Sequence, residues 1–223
     1  GYSDPPGSAP AYESVEYWDG TSWTEGADVN VGRFKAGAYG IQTSAGLVGG
    51  IDSPPGILYA SNEVYDGVSW TEVADLSATR RDITATGTSN NTDGLTGTGR
   101  SNPSTRVALC EEWDWSSTQA AGTWASGNNS NTPGYARGCF GIQTAAVAYG
   151  GAPYTANSET YDGSSWTEGT NLNSPRAYCG GAGTATAGIA IAGYHGSESP
   201  TAVYAICETY DGSSWTEVGD VNT

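Results

Sequence analysis

Glu159–Glu168 reads ETYDGSSWTE and Glu208–Glu217 repeats it letter for letter, while Glu16–Glu25 (EYWDGTSWTE) and Glu63–Glu72 (EVYDGVSWTE) are near copies. A fifth, degenerate copy opens at Glu111 as EEWDW and reaches its tryptophan only at Trp124. The aromatic ahead of the aspartate therefore falls at Trp18, Tyr65, Trp113, Tyr161 and Tyr210, at intervals of 47, 48, 48 and 49 residues. A period of that length, carried by one supersecondary unit, marks a repeat architecture.

Within each copy, two short segments rich in aromatic and β-branched residues flank the turn. Glycine tolerates positive φ and aspartate bonds its own backbone, so Asp-Gly predicts a hairpin. Between the copies lies a second unit marked by Gly40, Gly87, Gly141 and Gly183, each followed by Gly49-Gly50, Thr96-Gly97, Gly150-Gly151 or Ala192-Gly193. Its runs of Ala, Val, Ile and Tyr suit a second hairpin whose small residues admit close neighbours. The alanines of Ala182–Ala192 favour helix, but Gly183 and Gly188 interrupt them and the same register elsewhere holds Val, Tyr and Leu. Strand is predicted there too.

Each repeat is then a four-stranded antiparallel sheet, and sheets of this kind stacked around an axis form an all-β propeller. Complete blades are expected at about 33–72, 80–126, 135–168 and 176–217, preceded by a half blade within 1–26. This organisation points to one domain and a five-bladed ring whose first blade is present in part, completed by residues outside the sequence or left as an edge open to self-association. Gly1–Gly20 aligns without a gap on Gly193–Gly212, so the chain starts in mid-repeat. Position 1 is Gly and Met is absent, which reads as a processed product or a piece of a longer chain.

The 223 residues carry 24 acidic and 8 basic side chains, for a net charge of −16. That balance opposes binding to nucleic acid or to an anionic membrane. No apolar run is long enough to span a bilayer, so membrane insertion is not expected. With 8 Trp and 14 Tyr spread along the length, the chain has the material for a core.

The glycine pair, the E-x-Y-D-G run and the Trp five residues after its aromatic resemble kelch repeats, and the likeness covers essentially the whole chain. More narrowly, YDGSSWTE, the link LNSPR at Leu172–Arg176 and GAGTATAGIAIAG at Gly181–Gly193 are similar to repeats in structural or tail-associated proteins of marine tailed bacteriophages, particularly cyanophages. The resemblance implies a non-enzymatic virion component serving assembly or host attachment, with other virion proteins or a host-surface protein or glycan as partners. Two departures stand out. Trp115 replaces the turn glycine of the third copy, where about five residues are inserted, and the stretch Ser89–Gly99 makes a weak apolar strand.

The repeated tryptophans Trp23, Trp70, Trp124, Trp166 and Trp215 can form a binding surface, but a fixed place inside a strand of every repeat favours burial between sheets. Asp19, Asp66, Asp114, Asp162 and Asp211 read as turn caps rather than calcium ligands. Gly50, Gly97, Gly151 and Gly193 mark the end of each second strand. Glu16, Glu63, Glu111, Glu159 and Glu208 recur two residues before the aromatic, and Arg33, Arg80 and Arg176 precede the next strand, so ion pairs between adjacent sheets or loops are expected. Cys110, Cys139, Cys179 and Cys207 read as small buried thiols, with three pairings open to them in an oxidising setting. No nucleophile elbow, phosphate loop, dinucleotide fingerprint or unique carboxylate pair is present, so no catalytic residue, cofactor or metal is assigned.

The links after the glycine pairs differ from repeat to repeat and should share one face. They carry the candidate binding residues Tyr59, Tyr154, Tyr194, His195 and Tyr204, with His195 placed in a solvent-facing loop. A rigid scaffold bearing variable loops suits recognition. A secreted lectin-like propeller is the alternative, although pockets in every blade would need loops that repeat. An enzyme with a site in the central channel is the third reading, disfavoured by the single histidine.

Overall fold

The Asp-Gly turns organise the sheets. Asp162 Oδ1 accepts hydrogen bonds from the backbone amides of Ser164 and Ser165 at 2.8 and 2.7 Å, and Asp19, Asp66 and Asp211 make the same pair of contacts two and three residues ahead. These donors hold the Asp162 carboxyl down at about 2. The following Gly20, Gly67, Gly163 and Gly212 take φ between +92° and +97°, a region closed to side-chain-bearing residues. Each turn therefore folds the two aromatic segments onto each other, and Trp18 faces Trp23, Tyr65 faces Trp70, Tyr161 faces Trp166 and Tyr210 faces Trp215 across a strand pair; Trp113 faces Trp124 in the same way without an Asp-Gly turn.

The computed structural model describes residues 11–52, 56–87, 90–102, 105–115, 122–195 and 202–221. A two-stranded hairpin, β1 (Glu16–Trp18) and β2 (Trp23–Glu25), comes first. Four antiparallel four-stranded sheets follow: β3 (Gly37–Ile41) to β6 (Trp70–Val73) with β4 (Ser44–Val48) and β5 (Asn62–Tyr65); β7 (Thr84–Gly87) to β10 (Thr123–Ser126) with β8 (Asp93–Gly97) and β9 (Cys110–Asp114); β11 (Gly138–Ile142) to β14 (Trp166–Glu168) with β12 (Ala145–Tyr149) and β13 (Ser158–Tyr161); and β15 (Gly180–Thr184) to β18 (Trp215–Val218) with β16 (Ala187–His195) and β17 (Ala202–Tyr210). The described residues contain no helix.

The first strands β3, β7, β11 and β15 lie side by side in that order and line a central channel through Ala38–Gly40, Ala85–Gly87, Cys139–Gly141 and Gly181–Gly183. The result is a four-bladed β-propeller body. Cores fill the spaces between successive blades: Tyr39, Val48, Val64 and Trp113; then Leu95, Ala146 and Tyr161; then Phe140, Val147, Tyr149, Tyr210 and Trp215. Small residues are needed where rings cross strands, since a Cβ on Gly188 would stand 2.2 Å from the Phe140 ring.

Burial of the repeated tryptophans is uneven. Trp215 is buried, Trp70, Trp124 and Trp166 are half-buried, and Trp23 is 65% exposed, against expectation. The cause is local, because among the described residues the sheet holding Trp23 has two strands and no inner pair beside it. The glycine marker Gly97 ends its second strand, β8, as expected, but it is not the counterpart of the left-handed glycine of the other blades. The pair that takes the left-handed conformation in this blade is Thr98–Gly99, with φ of 59° and 112° against 61° and 106° for Gly49–Gly50. A longer turn between β7 and β8 shifts the register.

The arginine expectation needs a sharper correction. Each ion pair forms within one blade, between the residue entering the first strand and the third strand of the same sheet. Arg33 Nη1 meets Glu63 Oε1 at 2.6 Å, Arg80 Nη2 meets Glu111 Oε1 at 2.6 Å, and Arg176 pairs with Glu208. The second carboxylate oxygen accepts a backbone N–H from the incoming link: Asn30 for Glu63, Ser77 for Glu111 and Asn173 for Glu208, at 2.7 to 2.9 Å. The remaining blade has an arginine as well, Arg137, which meets Glu159 at 2.9 Å while the Asn131 amide donates to the same carboxylate. Arg137 stands three positions later in the repeat than the others. Gly134 occupies the usual arginine position, its carbonyl accepting from Gly99 N–H as those of Arg80 and Arg176 accept from Gly50 and Gly151. The stem of Arg137 passes over Gly134, 3.4 Å from where a Cβ would be.

All four cysteines are free. Burial pushes the Cys139 thiol up to about 12 and the Cys179 thiol up to about 11.

Two outcomes follow from this packing. Arg137→Ala leaves Glu159 buried without its partner and is expected to cost about 3–5 kcal/mol; adding Gly134→Arg restores most of the loss by returning the guanidinium along the route used in the other blades, as read by urea denaturation of the single and double variants. At pH 8 the native protein is expected to leave Cys139 and Cys179 unmodified by a thiol-specific disulfide reagent over minutes, with rapid reaction only after denaturation, because the thiolate is the reactive form.

Candidate functional site: an aromatic cluster on the link face

Because the strands alternate in direction, both kinds of long link, from second to third strand and from fourth strand to the next blade, emerge on one face, and the tight turns occupy the other. The residue two places before each first strand guards the channel mouth on the link face. It is Lys35, Asp82, Ala136 or Tyr178, with φ of 57°, 53°, 55° and 57°. Left-handed backbone costs a residue with a Cβ roughly 1–2 kcal/mol. The mouth nonetheless holds four different side chains and no glycine. Backbone bonds from Asp82 N–H to the Lys35 carbonyl and from Tyr178 N–H to the Ala136 carbonyl, at 2.8 and 2.9 Å, tie neighbouring blades together at this level.

Around the mouth, side chains from three blades converge. Tyr154 lies with its ring centroid 5.6 Å from that of Tyr194 and 5.2 Å from that of His195. His195 is 6.1 Å from Tyr204, and Tyr178 meets Tyr194 edge-on at 6.5 Å. On the other flank the Arg100 guanidinium sits 4.0 Å over the Tyr135 ring, and Arg106 lies 5.7 Å from the same ring. Asp82 anchors this flank, its Oδ2 2.9 Å from both Nε and Nη2 of Arg100. Burial and the neighbouring Asp82 carboxylate push the Tyr178 phenol above its ordinary range. Tyr178 is 53% exposed, so the ring is offered to solvent at the centre of the group.

The last blade supplies most of the cluster through a feature the sequence reading treated as a loop. β16 and β17 continue past the glycine position as a hairpin, with a bulge between Ile191 and Gly193 where Ala192 takes φ 54°. A bulge redirects the strand. It brings Tyr194 and His195 opposite Val203 and Ala202, and Tyr204 opposite Gly193.

Of the five loop residues singled out in the sequence, Tyr154, Tyr194, His195 and Tyr204 come together here. His195 stands at the end of a strand against two rings instead of in a solvent-facing loop. Tyr59 is not part of the group; its hydroxyl donates to Asp52 Oδ2 at 3.1 Å within the link of the first complete blade. Sequence reasoning missed Tyr135, Tyr178, Asp82, Arg100 and Arg106. The available signal was positional: the residue two places before each first strand changes identity in every repeat while its surroundings recur.

The cluster can stack apolar faces of sugar rings or of partner side chains on its tyrosines, and it can donate and accept through phenol, imidazole and guanidinium groups. The repeated aspartates play a different part. Those at positions 19, 66, 162 and 211 cap their own turns on the opposite face, and among the described residues no group of three or more His, Cys, Asp or Glu side chains is placed to hold a metal.

Comparison with known proteins bears on the fold. No family model matches the chain and no curated protein does. Among the solved chains that match is one described as the structure of YjhT, with a TM-score of 0.75 and 11% sequence identity, the match covering 93% of this chain and 76% of that one. At that identity the likeness shows a shared propeller fold.

Tyr178→Gly is expected to leave stability within about 1 kcal/mol of the parent, since glycine relieves the left-handed backbone and costs unfolded-chain entropy in similar measure. Urea denaturation checks it, and a matched stability makes this variant a clean probe of binding.

Proposed function

We propose that this protein is a non-enzymatic attachment propeller of a virion, in which the link face binds a saccharide on the host surface and the stacked blades serve as the rigid support. The observation that carries the reading is the convergence of Tyr154, Tyr178, Tyr194, His195 and Tyr204 at one place on a face that does not repeat. One composite site on a non-repeating face favours a single attachment surface over the lectin-like alternative with a pocket in each blade. Charge supports the same face. Four of the eight basic side chains are buried in the blade ion pairs, and the other four, Lys35, Arg81, Arg100 and Arg106, all lie on the link face. The virion setting and the attachment role rest on the resemblance of the repeat wording to phage structural proteins.

In this reading the β1–β2 hairpin is the outer half of a fifth, kelch-like blade. β1 and β2 hold the register of a third and fourth strand, with Trp18 opposite Trp23 as Tyr65 is opposite Trp70.

Glycan-array screening of the purified protein, followed by titration of the best saccharide, tests the function. Tyr154→Ala combined with Tyr194→Ala is expected to weaken binding at least tenfold at unchanged fold, the loss corresponding to about 1.4 kcal/mol. Equal binding by the double variant, or no saccharide bound by the parent, removes the link face as a glycan site. Absence of the protein from purified particles by immunoblot removes the virion setting.

A further inference from the structure

We propose that the open inner half of the β1–β2 sheet is a docking site for a β-hairpin of this chain's own repeat type, which adds two strands to the free edge of β1 and delivers an arginine to Glu16. This rests on reading β1 and β2 as the outer half of a fifth blade. In the other blades the third strand is flanked on both sides, by β4 and β6 for β5 and by β12 and β14 for β13, whereas among the described residues β1 pairs with β2 alone. The vacancy has walls and a size. A cleft of about 510 Å³ runs between Glu16–Trp18 of the hairpin and Ala38–Ile41 of β3. Like β3, β15 has a neighbouring first strand on one side only among the described residues. In β7 and β11, each with a first strand on either side, Ile142 alone is exposed, while every residue of β15 is exposed and β3 exposes Ala38, Gly40 and Ile41.

Glu16 identifies what the occupant must bring. Its counterparts Glu63, Glu111, Glu159 and Glu208 are 0–1% exposed and each holds an arginine, yet Glu16 is exposed and no basic side chain lies against it among the described residues. None is to spare. All eight basic residues of the chain are engaged elsewhere, four in the blade pairs, Arg81 and Arg100 at Asp82, Arg106 at Tyr135 and Lys35 at Phe34. A second copy of this chain would have to dismantle one of its own blades to supply such a hairpin. The occupant is therefore a separate segment of about twenty residues with the pattern of Asn173–Gly193: Asn or Ser, then Arg three residues on, a small-residue strand, a turn, and an apolar strand ending at a glycine. Backbone pairing to the edge would give affinity and the Arg–Glu16 contact would give register.

The test uses the full chain and a synthetic peptide of residues 173–194 with Cys179→Ser. Tryptophan fluorescence reports on Trp18 and Trp23, which are 45% and 65% exposed beside the edge, and hydrogen exchange reports on the β1 amides. Saturable one-to-one binding is expected, with exchange across Glu16–Trp18 slowed at least tenfold. Arg176→Gln in the peptide or Glu16→Gln in the chain is expected to weaken binding at least tenfold, with little further loss when both are changed. Absence of binding while the β1 amides exchange freely, or binding indifferent to Arg176→Gln, overturns this docking and leaves the five-blade reading standing. Protected β1 amides in the unliganded chain together with a dimer by light scattering mean that a second copy covers the edge, and overturn both.

Discussion

A carboxylate and a guanidinium taken out of water at the centre of each blade set the terms for the rest of the molecule. Desolvating two such charges costs several kcal/mol per ion, and their attraction compensates only if the geometry is good and the remaining valences are filled. Here backbone fills part of them: Glu63, Glu111, Glu159 and Glu208 each accept an amide from the incoming link, and Arg33, Arg80 and Arg137 each donate to a carbonyl at Leu47, Leu109 or Ala148, while the buried Nε of all four arginines has no hydrogen-bond partner among the described residues. The link, the first strand and the third strand are thus pinned at one point. Through its own carbonyl the arginine position also receives the glycine-pair amide of the preceding blade, at Gly50 to Arg80 and Gly151 to Arg176. One residue therefore fixes the interior of its blade and the angle to its neighbour. Conformational specificity is the natural use of so costly a pair.

The third complete blade, β11–β14, shows that the constraint is the pair and not the position. There the guanidinium reaches the same carboxylate from Arg137, three residues beyond the usual place, and Gly134 leaves room for the detour while keeping the carbonyl that the preceding blade requires. A repeat can change the residue order of its link provided these two contacts survive. That freedom explains how the links diverge in length and content while the sheets behind them keep one register.

Much of this was legible in the sequence because it is periodic. The Asp-Gly turn, the facing Tyr and Trp and the four-stranded sheet each recur about every 48 residues, and local turn chemistry specifies them without help from distant contacts. What escaped the reading depends on departures from the period. A longer turn before Asp93 moved the glycine pair to Thr98–Gly99, a displaced arginine hid its membership of the series, and the bulge at Ala192 turned a supposed loop into a strand extension. The site was half legible for the same reason. Tyr154, Tyr194, His195 and Tyr204 were visible as unrepeated aromatics, but Tyr178, Asp82 and Arg100 gain meaning only when the first strands gather around the channel.

The charge distribution gives the two faces different physical characters. An acidic surface at a net charge of −16 repels its own copies and keeps an exposed propeller dispersed. With four of the eight cations buried beside glutamates, the turn face and outer edges present carboxylates such as Asp19, Asp66, Asp162 and Asp211 almost unopposed, while Lys35, Arg81, Arg100 and Arg106 are gathered where the aromatics are. Asp82 holds Arg100 in place over Tyr135, so this flank of the cluster is a fixed cationic edge on a ring. An anionic ligand approaching the turn face or the outer edges meets these carboxylates first. The fold thus gives the link face a character of its own, by placing the four cations outside the blade ion pairs and the unrepeated aromatic rings on the side where the long links emerge.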